Sequence, residues 1–108
     1  VTAGKDRQKN KGEKMGLKHD TGKNPVQLVP AEMIEAVAKV LSFGAEKYGR
    51  NTWQTIEDPV FRYTGALMRH LLEIQKGSDI DPESGLPHIY HVATNAGFLT
   101  YFHDRGAK

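Results

Sequence analysis

From Pro30 to Asp104 apolar residues recur at three- and four-residue steps in three runs, and nowhere do apolar and polar residues alternate in twos. A period near 3.6 marks an amphipathic helix, whereas a half-buried strand needs a period of 2. The chain is therefore restricted to an all-α fold with three main helices. The first run carries Ile34, Val37, Ala38, Leu41, Ala45 and Tyr48 on one stripe. Pro30 suits its first turn, Glu32 and Glu35 complement the dipole there and Gly49 suits its end, which predicts a helix over about 30–48. The link Gly49-Arg50-Asn51-Thr52-Trp53 and a turn at Asp58-Pro59 follow. The second helix is predicted over about 59–76, with Tyr63, Ala66, Leu67, His70 and Ile74 on one face and Gly77 as its stop. Residues 78–87, SDIDPESGLP, read as loop. The third helix is predicted over about 87–104, with Pro87 near its start.

The chain has 108 residues, of which 38% are hydrophobic, so its core is small and self-association to cover more surface is expected. Residues 1–24 carry seven Lys and Arg against three acids, and residues 5–24 hold only Met15 and Leu17 as apolar side chains. Nothing there offsets the entropy of ordering. The expected organisation is a mobile basic arm over 1–24 and a single helical domain over 25–108. The arm reads either as an electrostatic grip on phosphates or nucleic acid, or as a solvated terminus that orders on a partner. No aromatic residue interleaves its charges as base stacking would require, so nucleic acid is not the expected partner. The chain has no cysteine, which removes disulfides and thiolate chemistry. No apolar run approaches a membrane span and the start lacks a signal-peptide core, so a cytoplasmic location without membrane association is expected.

Two motifs fail on spacing. Gly16…Gly22-Lys23 has five residues between its glycines and Asn24 where a P-loop needs Ser or Thr. Asp79-x-Asp81-x-Glu83 opens like an EF-hand, but its glycine arrives late, at Gly85, and its twelfth residue is Tyr90. The histidines are more informative. His88, His91 and Asn95 fall at i, i+3 and i+7 on the stripe that continues through Phe98, Leu99 and Phe102, and His70 and Glu73 form an i, i+3 pair on the second helix. Two antiparallel helices that each turn polar groups inward can build a metal site, and the loop between them adds Asp79, Asp81 and Glu83. Imidazole and carboxylate without thiolate suit Mn²⁺, Zn²⁺, Ni²⁺ or Fe²⁺, and the loop carboxylates suit Mg²⁺. The same histidines also read as core groups hydrogen-bonded to acids or backbone, or as phosphate donors without any metal. Glu32, Glu35 and Glu46 form a second acidic set, read as a divalent-metal pair or as solvated complements to the helix dipole.

The link after the first helix offers a ligand surface. Lys47 and Arg50 can meet phosphates, Asn51 can read polar edges, and Tyr48 or Trp53 can stack on a base. The same residues also read as a helix terminus with favourable cations and an anchoring tryptophan.

Gly22-Lys23…Pro25…Leu28…Pro30, FGAEKYGRNTW (43–53), RYTGALMRHLLE (62–73) and DIDPESGLPHIYHVATN (79–95) together resemble the phage-associated dATP/dGTP diphosphohydrolase N-terminal domain family, over about residues 22–99. The resemblance implies a relation to MazZ-type and, more distantly, MazG-like all-α enzymes. Those cleave a (d)NTP to a monophosphate and pyrophosphate with divalent metals held by E-x-x-E and E-x-x-D pairs, and they assemble as dimers or tetramers. This sequence departs from that pattern: His70-x-x-Glu73 and His88-x-x-His91 stand where acids are expected, which lowers the negative charge available to Mg²⁺. The expected function is a metal-dependent diphosphohydrolase of purine deoxynucleoside triphosphates. His70, His88, His91 and Glu83 would hold Mn²⁺ or Mg²⁺, with Zn²⁺ also compatible, and Glu73, Asp81 and Glu83 would serve catalysis. Lys23, Lys47, Tyr48, Arg50, Asn51, Trp53, Arg69 and Asn95 would hold the nucleotide. The alternative is a non-catalytic phage protein that sequesters a nucleotide signal of host defence.

Overall fold

The computed structural model describes residues 22–107. Most of the arm expected over 1–24 lies outside that range. Three α-helices carry the fold: α1 (Ala31–Tyr48), α2 (Pro59–Gln75) and α3 (His88–Asp104). Two 3₁₀ turns, Val26–Leu28 and Thr52–Thr55, precede α1 and follow it. Among the described residues there is no strand, only an isolated bridge between Ile80 and Pro87. The all-α architecture and the three helix positions agree with the periodicity of the sequence.

The helix ends follow local chemistry. Gly49, at φ 96°, closes α1 by donating its N–H to the Ala45 carbonyl at 2.8 Å. That left-handed conformation is open to glycine at little cost. Pro59 opens α2, where its missing N–H leaves no bond unmade. After α2, Ser78 N–H bonds the Glu73 carbonyl and Gly77 N–H bonds that of Ile74, both at 2.9 Å. The 78–87 loop is held by its own backbone. Asp81 N–H donates to Leu86 O and Gly85 N–H to Asp81 O, each at 2.8 Å, and His88 N–H donates to Asp79 O at 2.7 Å. The loop therefore delivers Asp81 and the start of α3 in fixed register.

α3 packs against both other helices. The stripe read from its sequence is the one it buries: His88, His91, Asn95 and Phe102 are buried, with Phe98 and Leu99 half-buried. α1 turns slightly differently from the expectation. Ala36 and Val40 are buried, whereas Ile34 and Tyr48, placed on the same apolar stripe, are 61% and 64% exposed. The reason is that α1 meets only α3 closely, so one narrow strip suffices. On α2 the inward residue is Tyr63, while Phe61, Met68, Leu71 and Leu72 face outward. Exposed apolar side chains grouped on one helix commonly mark an interaction surface. No helix of the described residues is long and apolar enough to cross a membrane.

Candidate functional site

α1 and α2 flank a groove of about 1080 Å³ whose floor is α3. Its two ends differ chemically. At one end the floor and wall present His91, His70 and the loop residue Asp81; at the other they present Phe98, Tyr63 and Trp53. Four cations line it, Lys47 and Arg50 from the end of α1 and its link, Arg62 and Arg69 from α2. Glu83 and Asp81 are the acids among the lining residues.

The polar end is a connected cluster. His70 Nδ1 and His88 Nδ1 stand 2.9 Å apart, and the His70 and His91 rings stack at 4.4 Å with planes 7° apart. The Ser78 hydroxyl lies 3.2 Å from His88 Nε2, and the Ser84 hydroxyl 2.7 Å from His91 Nε2. Asp81 Oδ2 is 3.6 Å from His91 Nε2 and accepts the Ser84 backbone N–H at 3.0 Å. One donor atom each from His70, Asp81 and His88 lie within 4.8 Å of one another. Two nitrogens each about 2.1 Å from one ion stand about 3.0 Å apart at a right angle and about 3.4 Å at the tetrahedral angle. The facing His70 and His88 nitrogens therefore have a spacing that serves either one shared proton or one shared divalent ion. The donor set fits a borderline metal.

The surroundings disfavour protonation of His70, His91 and Asp81. Burial holds His70 and His91 below the ordinary imidazole value of 6.5, aided by the neighbouring histidines and opposed by Asp81. For Asp81, burial pushes the carboxyl up, but the Ser84 hydroxyl and N–H and the facing histidines outweigh it and hold it below its usual value. Both shifts mean that the unfolded chain binds more protons than the folded one, so stability rises with pH and is lost as the pH is lowered. The histidine part is lost as pH drops below about 6.5, and the Asp81 part follows in the carboxylate range. Thermal unfolding followed by circular dichroism from pH 7.5 to pH 4.5 is expected to show a falling midpoint. A flat or rising midpoint would refute this electrostatic account.

The residues nominated from the sequence separate into two groups. Lys47, Tyr48, Arg50, Asn51, Trp53, Arg69, His70, Asp81, Glu83, His91 and Asn95 all line the groove. His88 sits just behind it, 2% exposed, and reaches the site through His70. Lys23 and Glu73 are not among the lining residues. Glu73 pairs with Lys76 at 3.3 Å, and Glu83 pairs with Lys47. Neither glutamate is part of the group formed by His70, Asp81 and His88, and each is paired with a lysine. Trp53 is committed to packing: its indole stacks on Phe98 at 4.4 Å and meets Tyr101 edge-on at 4.7 Å. Asn51 sits at φ 60°, a left-handed turn position that asparagine tolerates better than most residues.

Sequence reasoning missed Ser78, Ser84 and Arg62. Ser84 had a partial signal, since an Asp in a Gly/Pro-bearing loop readily accepts from a backbone N–H shortly after it. Ser78 and Arg62 carried none, because their roles depend on how the helices pack.

The family model described as dATP/dGTP diphosphohydrolase, N-terminal, matches residues 13–108. A dATP/dGTP diphosphohydrolase of Salmonella phage PMBT28 is 42% identical over 84 residues, which are 78% of this chain and 28% of that protein. The chain thus spans under a third of the length of that curated relative. No solved structure matches the chain.

Proposed function

The chain belongs to the dATP/dGTP diphosphohydrolase N-terminal family, and from that premise we propose that its groove binds a purine deoxynucleoside triphosphate and hydrolyses it between the α- and β-phosphates. The observation that carries this reading is the groove's layout: a cationic rim of Lys47, Arg50, Arg62 and Arg69 leads to a His/Asp cluster in which protonation of His70 and Asp81 is disfavoured. Arginine and lysine offset the charge of a triphosphate, and arginine does so with two parallel N–H donors. His70, His88 and Asp81, with His91 stacked beside them, would hold a divalent ion. When bound there, that ion would neutralise the α-phosphate and polarise the attacking water.

The chain's own residues supply the rest. The water oxygen forms a bond to the α-phosphorus while the bridging oxygen departs with the β-phosphate as pyrophosphate. The water's proton passes to neutral His91, whose Nε2 is reached through the Ser84 hydroxyl. Asp81, held ionised, stabilises the imidazolium that results. Arg69 and Lys47 hold the charge that develops on the departing pyrophosphate. The outward apolar stripe of α2 supports assembly as a homo-oligomer.

The test is incubation of the purified protein with each (d)NTP and Mn²⁺ or Mg²⁺, with products resolved by ion-pair chromatography. The expected result is monophosphate and pyrophosphate from dATP or dGTP, abolished by EDTA. Intact nucleotide retained by the protein would overturn the hydrolase and leave a nucleotide-sequestering protein in its place.

A further inference from the structure

Asn95 sits in the middle of the groove floor with one of its two polar side-chain atoms unused among the described residues. It is only 7% exposed, yet it lines the groove. Its Nδ2 donates to the His91 carbonyl at 2.7 Å. A carbonyl only accepts, so this bond fixes which end of the amide is nitrogen. Oδ1 then has no partner among the described residues, and Nδ2 keeps a second hydrogen. Its neighbour Thr94, 1% exposed, spends its hydroxyl on the Tyr90 carbonyl at 2.9 Å and leaves no comparable gap. Leaving a buried amide oxygen without a partner is unfavourable, because its bond to water is lost and nothing replaces it. Alanine or leucine would serve the helix better at this position.

The unused atoms also have a direction along the groove. Asn95 is about one helical turn beyond His91, away from the His/Asp cluster, and about one turn short of Phe98 at the aromatic end. A phosphate, whose ionised oxygens only accept, could meet the free Nδ2 hydrogen but would be repelled by Oδ1, so it matches this amide in part. A free acceptor beside a free donor instead matches a purine edge, where an N–H stands next to a ring nitrogen.

We propose that Asn95 reads the purine base: Oδ1 accepts from a base N–H, and the second Nδ2 hydrogen can donate to an adjacent ring nitrogen. This inference rests on the nucleotide reading of the groove and adds its polarity, with phosphates at the His/Asp end and the base towards Phe98. Asn95 is a specificity residue that touches substrate at a distance from the reacting atoms.

The test uses uncleavable α,β-methylene triphosphates with Mn²⁺, titrated calorimetrically into the wild-type protein. The three probes are the dATP form, the form carrying 2′-deoxyribosyl purine without the amino group, and the 2′,3′-dideoxy adenine form. Loss of the amino group is expected to weaken binding at least about tenfold, and loss of the 3′-hydroxyl to change it little. Asn95→Leu is expected to bind the first two probes equally. Equal binding of those probes by the wild-type protein overturns the inference and leaves the nucleotide site standing, as does a loss confined to the dideoxy probe. No binding of any probe removes the nucleotide reading and this inference with it. The comparison of probes on the wild-type protein stands even if Asn95→Leu does not fold.

Discussion

Trp53→Ala is expected to lower the stability of this domain by about 3 kcal/mol, at the lower edge of the usual cost of truncating a large aromatic residue, because the indole is only partly buried. The indole is the keystone of the aromatic end. It stacks on Phe98 with planes 17° apart, meets Tyr101 and Phe102 edge-on, and its backbone carbonyl accepts the Tyr63 hydroxyl at 2.8 Å. Through these contacts one short 3₁₀ turn ties the α1–α2 link to both α2 and α3. A domain of this size holds only about 5–15 kcal/mol in total, so the loss is a substantial fraction of it. Urea unfolding followed by tryptophan-independent circular dichroism measures it directly. A change below about 1 kcal/mol, accompanied by weaker nucleotide binding, would instead return Trp53 to the base-stacking role that its place in the link first indicated.

That ambiguity shows where sequence and structure part company. The helices were legible because their signals are local: a 3.6-residue period, proline at N1 of α2, glycine at positive φ after α1 and α2. The polar stripe of α3 was legible for the same reason, since His88, His91 and Asn95 share a face whatever that helix packs against. The cluster's composition was only half legible. His70 joins His88 and His91 as the spacing implied, but Asp81, and not Glu73 or Glu83, completes it. The choice among nearby carboxylates depends on the path of the 78–87 loop, which is set by backbone bonds such as Asp81 N–H to Leu86 O that leave no imprint in residue spacing. The two glutamates pair instead with Lys76 and Lys47, the latter across 36 residues of chain, a contact that residue spacing does not encode. Arg62 became a groove residue only once α1 and α2 were placed on either side of α3.

The largest functional effect is expected from the paired variants Asp81→Asn and His70→Ala. Asn at position 81 can still accept the Ser84 N–H through its amide oxygen, so the loop turn survives while the anionic donor is lost. His70 is half-buried at the groove wall, so its removal leaves His88 and the helix packing in place and deletes one of the two facing Nδ1 atoms. Changing a partner that merely orients a metal ligand typically costs about 10–100-fold in affinity or activity, so removing a donor itself should exceed about a hundredfold in turnover with Mn²⁺. Affinity for an uncleavable triphosphate should stay within about threefold, because Lys47, Arg50, Arg62 and Arg69 are untouched; an interaction that acts only in the transition state is lost from kcat without a matching change in binding. A metal titration by calorimetry supplies a readout independent of turnover and should show the site weakened in both variants. Wild-type turnover in both variants would remove the His/Asp cluster from the chemistry. Unchanged metal affinity with lost turnover would keep Asp81 and His70 as proton-handling groups and move the ion to other donors.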